Sequence, residues 1–229
     1  MKILALSTAE PGCSLAVMED DHLVCKSFWQ SRLTHSRRLL SMAGALFPDQ
    51  TGFEISEVDA VVAARGPGSF TGLRIGISAA LGLATALSLP AVGVSTLDGI
   101  GFKFSMADVP VCAMMDARRG QVYCAVYRFD RGRLRDRTKD RVCAPDQAVA
   151  MVPQKDAVFA GSGVPVYESM IREITRDRAR IVPHSMHPVS AATLALAARS
   201  TPGFFENPAN ALVPSYLRPD GADGPRGFA

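Results

Sequence analysis

Short apolar blocks open the chain, and helical spacing interrupts them twice before residue 100. Ile3 to Thr8, Cys13 to Met18 and Leu23 to Trp29 are divided by Pro11-Gly12 and Asp20-Asp21, which predicts a three-strand meander. Leu39, Leu40, Ala43, Leu46 and Phe47 then fall at helical spacing until Pro48, so a helix capped near Thr34 is expected. A strand from Val58 to Ala64, a helix from Thr71 to Leu89 and a strand from Ala91 to Ser95 follow. Strands alternating with helices after a meander imply an α/β lobe with a mixed sheet.

The second half is more irregular. Val111 to Met115 and Gln121 to Phe129 read as strands, with a turn at Asp130 to Gly132 and a third strand running to Val142. Helices are expected at Pro145 to Met151 and Val164 to Thr175, separated by the strand Ala157 to Ala160 and the turn Gly161-Ser162-Gly163. Ser190 caps an alanine-rich helix ending at Arg199. The expected division is a first lobe over 1–104, completed by 189–218, a smaller α/β lobe over 105–188, and a mobile tail over 219–229.

The segment Arg65 to Gly76 joins strand to helix and holds Gly66, Gly68, Gly72 and Gly76. Glycines before a helix N-terminus allow close backbone approach and an anion site, which makes Gly66, Gly68, Ser69, Thr71 and Gly72 candidates for a nucleotide or for a partner's loop. No Lys-Ser or Lys-Thr follows Gly72 and the dinucleotide spacing is absent, so a turn that only packs a helix on a sheet stays open as the other reading. Gly72, Gly76, Ala80 and Ala84 recur every four residues, a stripe of small side chains that admits a second helix. Residues 75–97 carry no charge, yet Pro90 and Gly93 interrupt them before the length of a membrane span. A helix apolar all round needs cover on every side. The expectation is that His35, Leu39, Met42 and Leu46 of the first helix and Gly72, Gly76, Ala80 and Ala84 of the second pack as a pair against another subunit, in a four-helix contact.

Composition narrows the setting. The 229 residues, 48% of them hydrophobic, suffice for one large domain or two lobes. Five cysteines, with no C-x-x-C pair, favour a reducing compartment. Glu10 ends the first apolar run too early for a signal peptide, so a cytoplasmic protein without a membrane anchor is expected.

The run Gly66 to Ile77 resembles the signature of the TsaB (YeaZ) family of tRNA threonylcarbamoyladenosine biosynthesis. Ile3 to Thr8, Asp116-Ala117-Arg118-Arg119-Gly120-Gln121-Val122-Tyr123 and Pro214-Ser215-Tyr216-Leu217-Arg218 agree with it, in the right order across nearly the whole chain. The resemblance implies a two-lobe actin-like (RNase-H-like) fold with mixed sheets and a reduced second lobe. It further implies a heterodimer with the catalytic paralogue TsaD, contact with the ATPase TsaE, tRNA reached only through the complex, and a homodimer when the partner is absent. No tightly bound cofactor is expected, and ATP would enter at the interface of the complex.

Catalytic groups are missing from the positions where that fold uses them. Ser7 stands at the first strand's end in place of a magnesium-organising aspartate, and Thr96 and Ile100 stand where the paralogue has its H-x-x-x-H pair. No G-x-S-x-G elbow occurs. His184 and His187, on a loop between prolines, read as solvated rather than as metal ligands. Asp98 and Asp116 could act as acid and base only if a cleft brought them together; otherwise one marks a helix end and the other a turn. No metal site is expected.

Charge is concentrated in one place. Residues 118–141 hold nine of the 25 basic residues and three of the 22 acidic ones, which leaves 16 basic and 19 acidic elsewhere. Arg131, Arg133, Arg135, Arg137, Lys139 and Arg141 follow a period of two, so one strand would present all six on one face. Such a face suits tRNA, with Arg131, Arg133, Arg135 and Arg137 as contacts, or serves as a solvated edge protected from aggregation. The resulting expectation is a non-catalytic scaffold for threonylcarbamoyl transfer to N6 of adenosine 37, in tRNAs reading codons that begin with adenine. An actin-like ATPase or small kinase and a tRNA-binding subunit are the alternatives.

Overall fold

A computed structural model describes residues 1–30, 35–152, 156–207 and 210–218. The expected cap at Thr34 and the expected mobile tail over 219–229 lie outside the described residues. The first sheet begins with the expected meander, β1 (Lys2–Ser7), β2 (Gly12–Glu19) and β3 (His22–Gln30). After α1 (His35–Gly44) come β4 (Ala60–Gly66), α2 (Phe70–Leu87) and β5 (Ala91–Ser95). The strand order is β3-β2-β1-β4-β5; β4 runs parallel to β1 and β5, while β2 and β3 run antiparallel. Nearly every residue of β1, β2 and β4 is buried, as in a sheet covered on both faces.

Two elements then lead out of this sheet. A short helix, α3 (Thr96–Gly101), follows β5 directly and was not legible in the sequence; Ser95 caps it by accepting from the Leu97 amide at 3.2 Å. The second sheet comprises β6 (Val111–Asp116), β7 (Val122–Asp130), β8 (Arg133–Arg137), β9 (Arg141–Cys143), β10 (Ala157–Ala160) and β11 (Ala179–Ile181). Its order is β11-β10-β6-β7-β8, with β9 also on β7. Helices α4 (Pro145–Ala150) and α5 (Gly163–Thr175) cover one face of it, and α3 packs on its strands β6 and β7. The last helix, α6 (Ala191–Arg199), returns to the first sheet and lies on β1, β2 and β4. Ser190 precedes α6 but its side chain makes no capping bond, contrary to expectation; Ser14 Oγ accepts from the Ala191 amide at 3.0 Å instead.

The expected third strand to Val142 is two strands. Thr138 Oγ1 accepts from the Val126 amide at 3.0 Å, and the chain bends there between β8 and β9. A bulge also inserts Arg135 between Leu134, opposite Phe129, and Asp136, opposite Arg128. The bulge reverses the facing of the rest of β8.

Candidate functional site at the carboxyl ends of the strands

The carboxyl ends of β1, β4, β6 and β10 meet at a cleft of about 600 Å³ between the lobes. In open α/β sheets this is where ligands and partners are met. Its first wall is the turn after β1 together with the glycine loop. Ser69 N donates to Ala9 O at 2.8 Å, and a Cβ at Gly68 would fall on the same carbonyl. Ser69 Oγ accepts from the Gly72 amide at 3.2 Å and so caps α2. The Thr8 hydroxyl donates to Gly72 O at 2.7 Å. The loop thus directs the Ser69 and Gly72 amides into its own chain.

That geometry corrects the expected direction of the small-residue stripe. Gly72, Gly76, Ala80 and Ala84 are buried, and a Cβ at Gly72 or Gly76 would collide with Thr8. The stripe lets α2 lie close against β1 and β4 of its own lobe, not against another subunit. Helix α1 ends at Gly44, short of the expected stop at Pro48, so Leu46 lies in the turn after it; Leu39 and Leu46 are both buried in the core, and Met42 is partly buried against it, while the His35 side chain lies outside the described residues. The opposite side of the pair is the open one. Leu40 is 59% exposed and Leu81 43% exposed, and an apolar groove of about 360 Å³ between α1 and α2 includes Leu40, Ile75 and Ala79. By length and composition α2 could cross a membrane, but it is seated on a sheet along one whole side.

The second wall carries the Asp116-Ala117-Arg118-Arg119 segment. Asp116 ends β6, accepts from the Arg118 amide at 2.9 Å and pairs with its guanidinium at 3.3 Å. Glu10, from the first lobe, is buried beside it in the cleft wall, and its Oε2 accepts from Val189 N at 2.9 Å. Burial pushes the Glu10 carboxyl above its ordinary range, against the Val189 amide, the Ser162 hydroxyl and Lys103, which favour the charge. Its Oε1 makes no hydrogen bond of acceptable geometry among the described residues.

Asp98 does not join Asp116 in the cleft. Its Oδ1 accepts from Tyr127 Oη at 2.9 Å and pairs with Arg137 at 2.7 Å, while Arg137 also holds Asp140. Ser95 Oγ donates to Asp140 at 2.6 Å, so this network ties the start of α3 to β7 and β8. Burial raises the Asp98 carboxyl to about 6, with Arg137 acting against the rise. The network corrects the expectation of a single basic face. Beyond the bulge, Arg137 turns inward over the Tyr127 ring at 5.1 Å, whereas Arg131, Arg133 and Arg135 stay exposed.

Other candidates also find places. Ser7 is buried at the end of β1, and Thr96 and Ile100 are buried within α3. His187 is buried rather than solvated, its Nδ1 accepting from the Gly161 amide at 3.2 Å, and burial lowers its pKa. Among the described residues no three His, Cys, Asp or Glu side chains converge as metal ligands.

The segments singled out in the sequence are stitched to one another around the cleft mouth. Ser215 N donates to Arg65 O at 2.7 Å, and a Cβ at Gly66, where φ is +120°, would strike Ser215 O. Arg218 Nη2 donates to Gln121 Oε1 at 2.7 Å and to Arg118 O at 3.3 Å. Two mixed sheets, each parallel on one side of its central strand and antiparallel on the other, joined through α3 and α6 and open at the strand ends, define an α/β protein of the actin-like class.

Comparison with known proteins agrees and goes further. Residues 30–224 match the family model described as "TsaD: tRNA N6-adenosine threonylcarbamoyltransferase". The Bacillus subtilis tRNA threonylcarbamoyladenosine biosynthesis protein TsaB is 28% identical over 95% of this chain and 94% of its own length. The Escherichia coli TsaB is 40% identical over 57% of this chain and 56% of its own. The solved structure of YeaZ from Pseudomonas aeruginosa superposes with a TM-score of 0.79 at 30% identity, covering 94% of this chain and 99% of that one. The chain belongs to the tRNA threonylcarbamoyladenosine biosynthesis family, in its TsaB (YeaZ) branch.

Proposed function

We propose that this chain is the non-catalytic subunit of a threonylcarbamoyl-transfer assembly, and that it holds a TsaD-type catalytic partner on the outer face of α1 and α2. The observation that carries the reading is the apolar surface formed by the exposed Leu40 and Leu81 and the half-buried Ile75, beside a groove on helices whose other faces are already seated on the sheet. A homologous helix pair on a paralogous partner would complete a four-helix contact, and a second copy of this chain would occupy the same face in the partner's absence. ATP and a TsaE-type ATPase would engage the assembled complex in the cytoplasm rather than this chain's own glycine loop. Against an ATPase reading stands the loop itself, whose Ser69 and Gly72 amides bond within the chain and not toward a phosphate. Reconstitution tests the proposal: tRNA modification should require this chain and the TsaD-type partner together. Modification, or metal-dependent ATP turnover, by this chain alone would refute it.

A further inference from the structure

The cleft mouth carries an aromatic pair that lies outside the groove between α1 and α2, although Arg74 borders both. Phe70 and Tyr216 are each 42% exposed, with ring centroids 5.5 Å apart and planes tilted by 35°. The Arg74 guanidinium lies 3.8 Å from the Phe70 ring centre, and its Nε donates to Tyr216 Oη at 3.4 Å. Large exposed rings forgo burial, so two of them held side by side call for an explanation. They are also held firmly. Tyr216 sits between two anchors, the Ser215 amide on Arg65 O and the Arg218 side chain on Gln121 and Arg118 O.

A second observation comes from the neighbouring loop. Arg118, Arg119 and Gly120 have φ of +62°, +54° and +71° in succession. Left-handed backbone at two consecutive non-glycine residues is strained, and such strain persists only where the surroundings enforce it. Both arginines of this loop are exposed: the Arg118 side chain is 81% exposed although its guanidinium pairs with Asp116, and Arg119 has no ion pair among the described residues. Arg118 also borders the same cleft as Phe70. The carboxylates Glu10 and Asp116 line the cleft wall behind the rim, so an anionic chain is favoured along the rim and disfavoured inside.

We propose that the rim formed by Phe70, Arg74, Arg118, Arg119 and Tyr216 binds an unpaired segment of RNA, with a base stacked on Tyr216 and the arginines on its phosphates. Aromatic faces interleaved with cationic side chains are what single-stranded nucleic acid requires, because every base offers a π face and every linkage a charge. Duplex RNA offers no free base face to Tyr216. The choice of RNA as occupant rests on the proposed role in tRNA modification, while the platform itself is a property of this chain.

Fluorescence anisotropy with the full chain tests it, using a labelled adenine-rich single-stranded RNA and a duplex of the same length. The single strand should bind more tightly than the duplex. Tyr216→Ala should weaken it about tenfold, Tyr216→Phe should retain it, and Arg119→Ser should make the salt dependence shallower by about one phosphate contact. Circular dichroism on each variant separates lost folding from lost binding, and Tyr216→Phe preserves the ring in either case. Equal binding of duplex and single strand, or unchanged affinity in a folded Tyr216→Ala, overturns the proposal. If Tyr216→Ala leaves RNA affinity unchanged while the reconstituted complex still assembles and modifies tRNA, the platform fails and the proposed role stands.

Discussion

Helix α2 and the β7–β8 hairpin both carry a regular pattern that invites an outside partner, and the chain uses the two patterns differently. On α2 the pattern is kept intact and turned inward: Gly72, Gly76, Ala80 and Ala84 face β1 and β4, and the less regular side with Ser78, Leu81 and Gly82 faces out. On the hairpin the pattern is broken. The bulge at Arg135 leaves Arg133 and Arg135 in solvent and sends Arg137 to Asp98 and Asp140. Regular spacing therefore reveals that a surface is specialised without revealing what meets it.

The same substitution at two places on α2 separates its covered side from its open one. Gly72→Ala forces a methyl onto the Thr8 carbonyl and should cost about 3 kcal/mol or more in chemical denaturation, since backbone must move. Gly82→Ala meets nothing within 4 Å and should stabilise by about 0.8 kcal/mol, the ordinary helix-propensity gain. Similar effects at both sites would mean that the stripe does not face the sheet.

The hairpin gives a smaller contrast. Arg137→Ala leaves Asp98 and Asp140 without their cation in a partly buried network and should cost about 2–3 kcal/mol, at the low end for such a loss. Arg135→Ala, on the exposed bulge, should stay within about 0.5 kcal/mol. Equal costs would restore the single basic face.

Smaller again is the pH dependence of that network. The Asp98 carboxyl titrates near 6 in the folded chain against an ordinary 3.8, so the folded state holds the proton more tightly. Its stabilising contribution is complete below about pH 4 and is lost as pH rises through 6. Relative to Asp98→Asn, the unmodified chain should lose about 2 kcal/mol between pH 4 and pH 7, measured as denaturation midpoints across that range. A flat difference would mean that Arg137 keeps the carboxylate at its ordinary pKa.

Much of the first lobe was legible because its signals are local. The turn at Pro11-Gly12, the break at Asp20-Asp21 and the glycine loop each punctuate a buried run, and β1 to β5 follow them closely. What escaped was set by contacts distant in sequence. Helix α3 consists of only six residues, too short for a period, and is fixed by packing on α6 and on β6 and β7. The Asp98 to Tyr127 and Arg137 network joins residues 29 and more apart, and only the unforeseen bulge turns Arg137 toward it. The Tyr216 platform depends on a segment that reads as proline-bound loop until Ser215 is seen tied to Arg65. At the site, the sequence marked the right segments, Gly66 to Gly76, Asp116 to Tyr123 and Pro214 to Arg218. It could not tell which side of α2 is covered.

Sedimentation velocity on mixtures of the two proteins reads out whether the outer face of α1 and α2 binds a TsaD-type partner. Leu81→Asp places a charge on a side chain that is 43% exposed, whereas the neighbouring Ala80→Gln adds bulk at a fully buried position. Leu81→Asp should keep its fold and lose the heteromer, while Ala80→Gln should destabilise the isolated chain. A folded Leu81→Asp that assembles with the partner as tightly as the unmodified chain would contradict binding through that face.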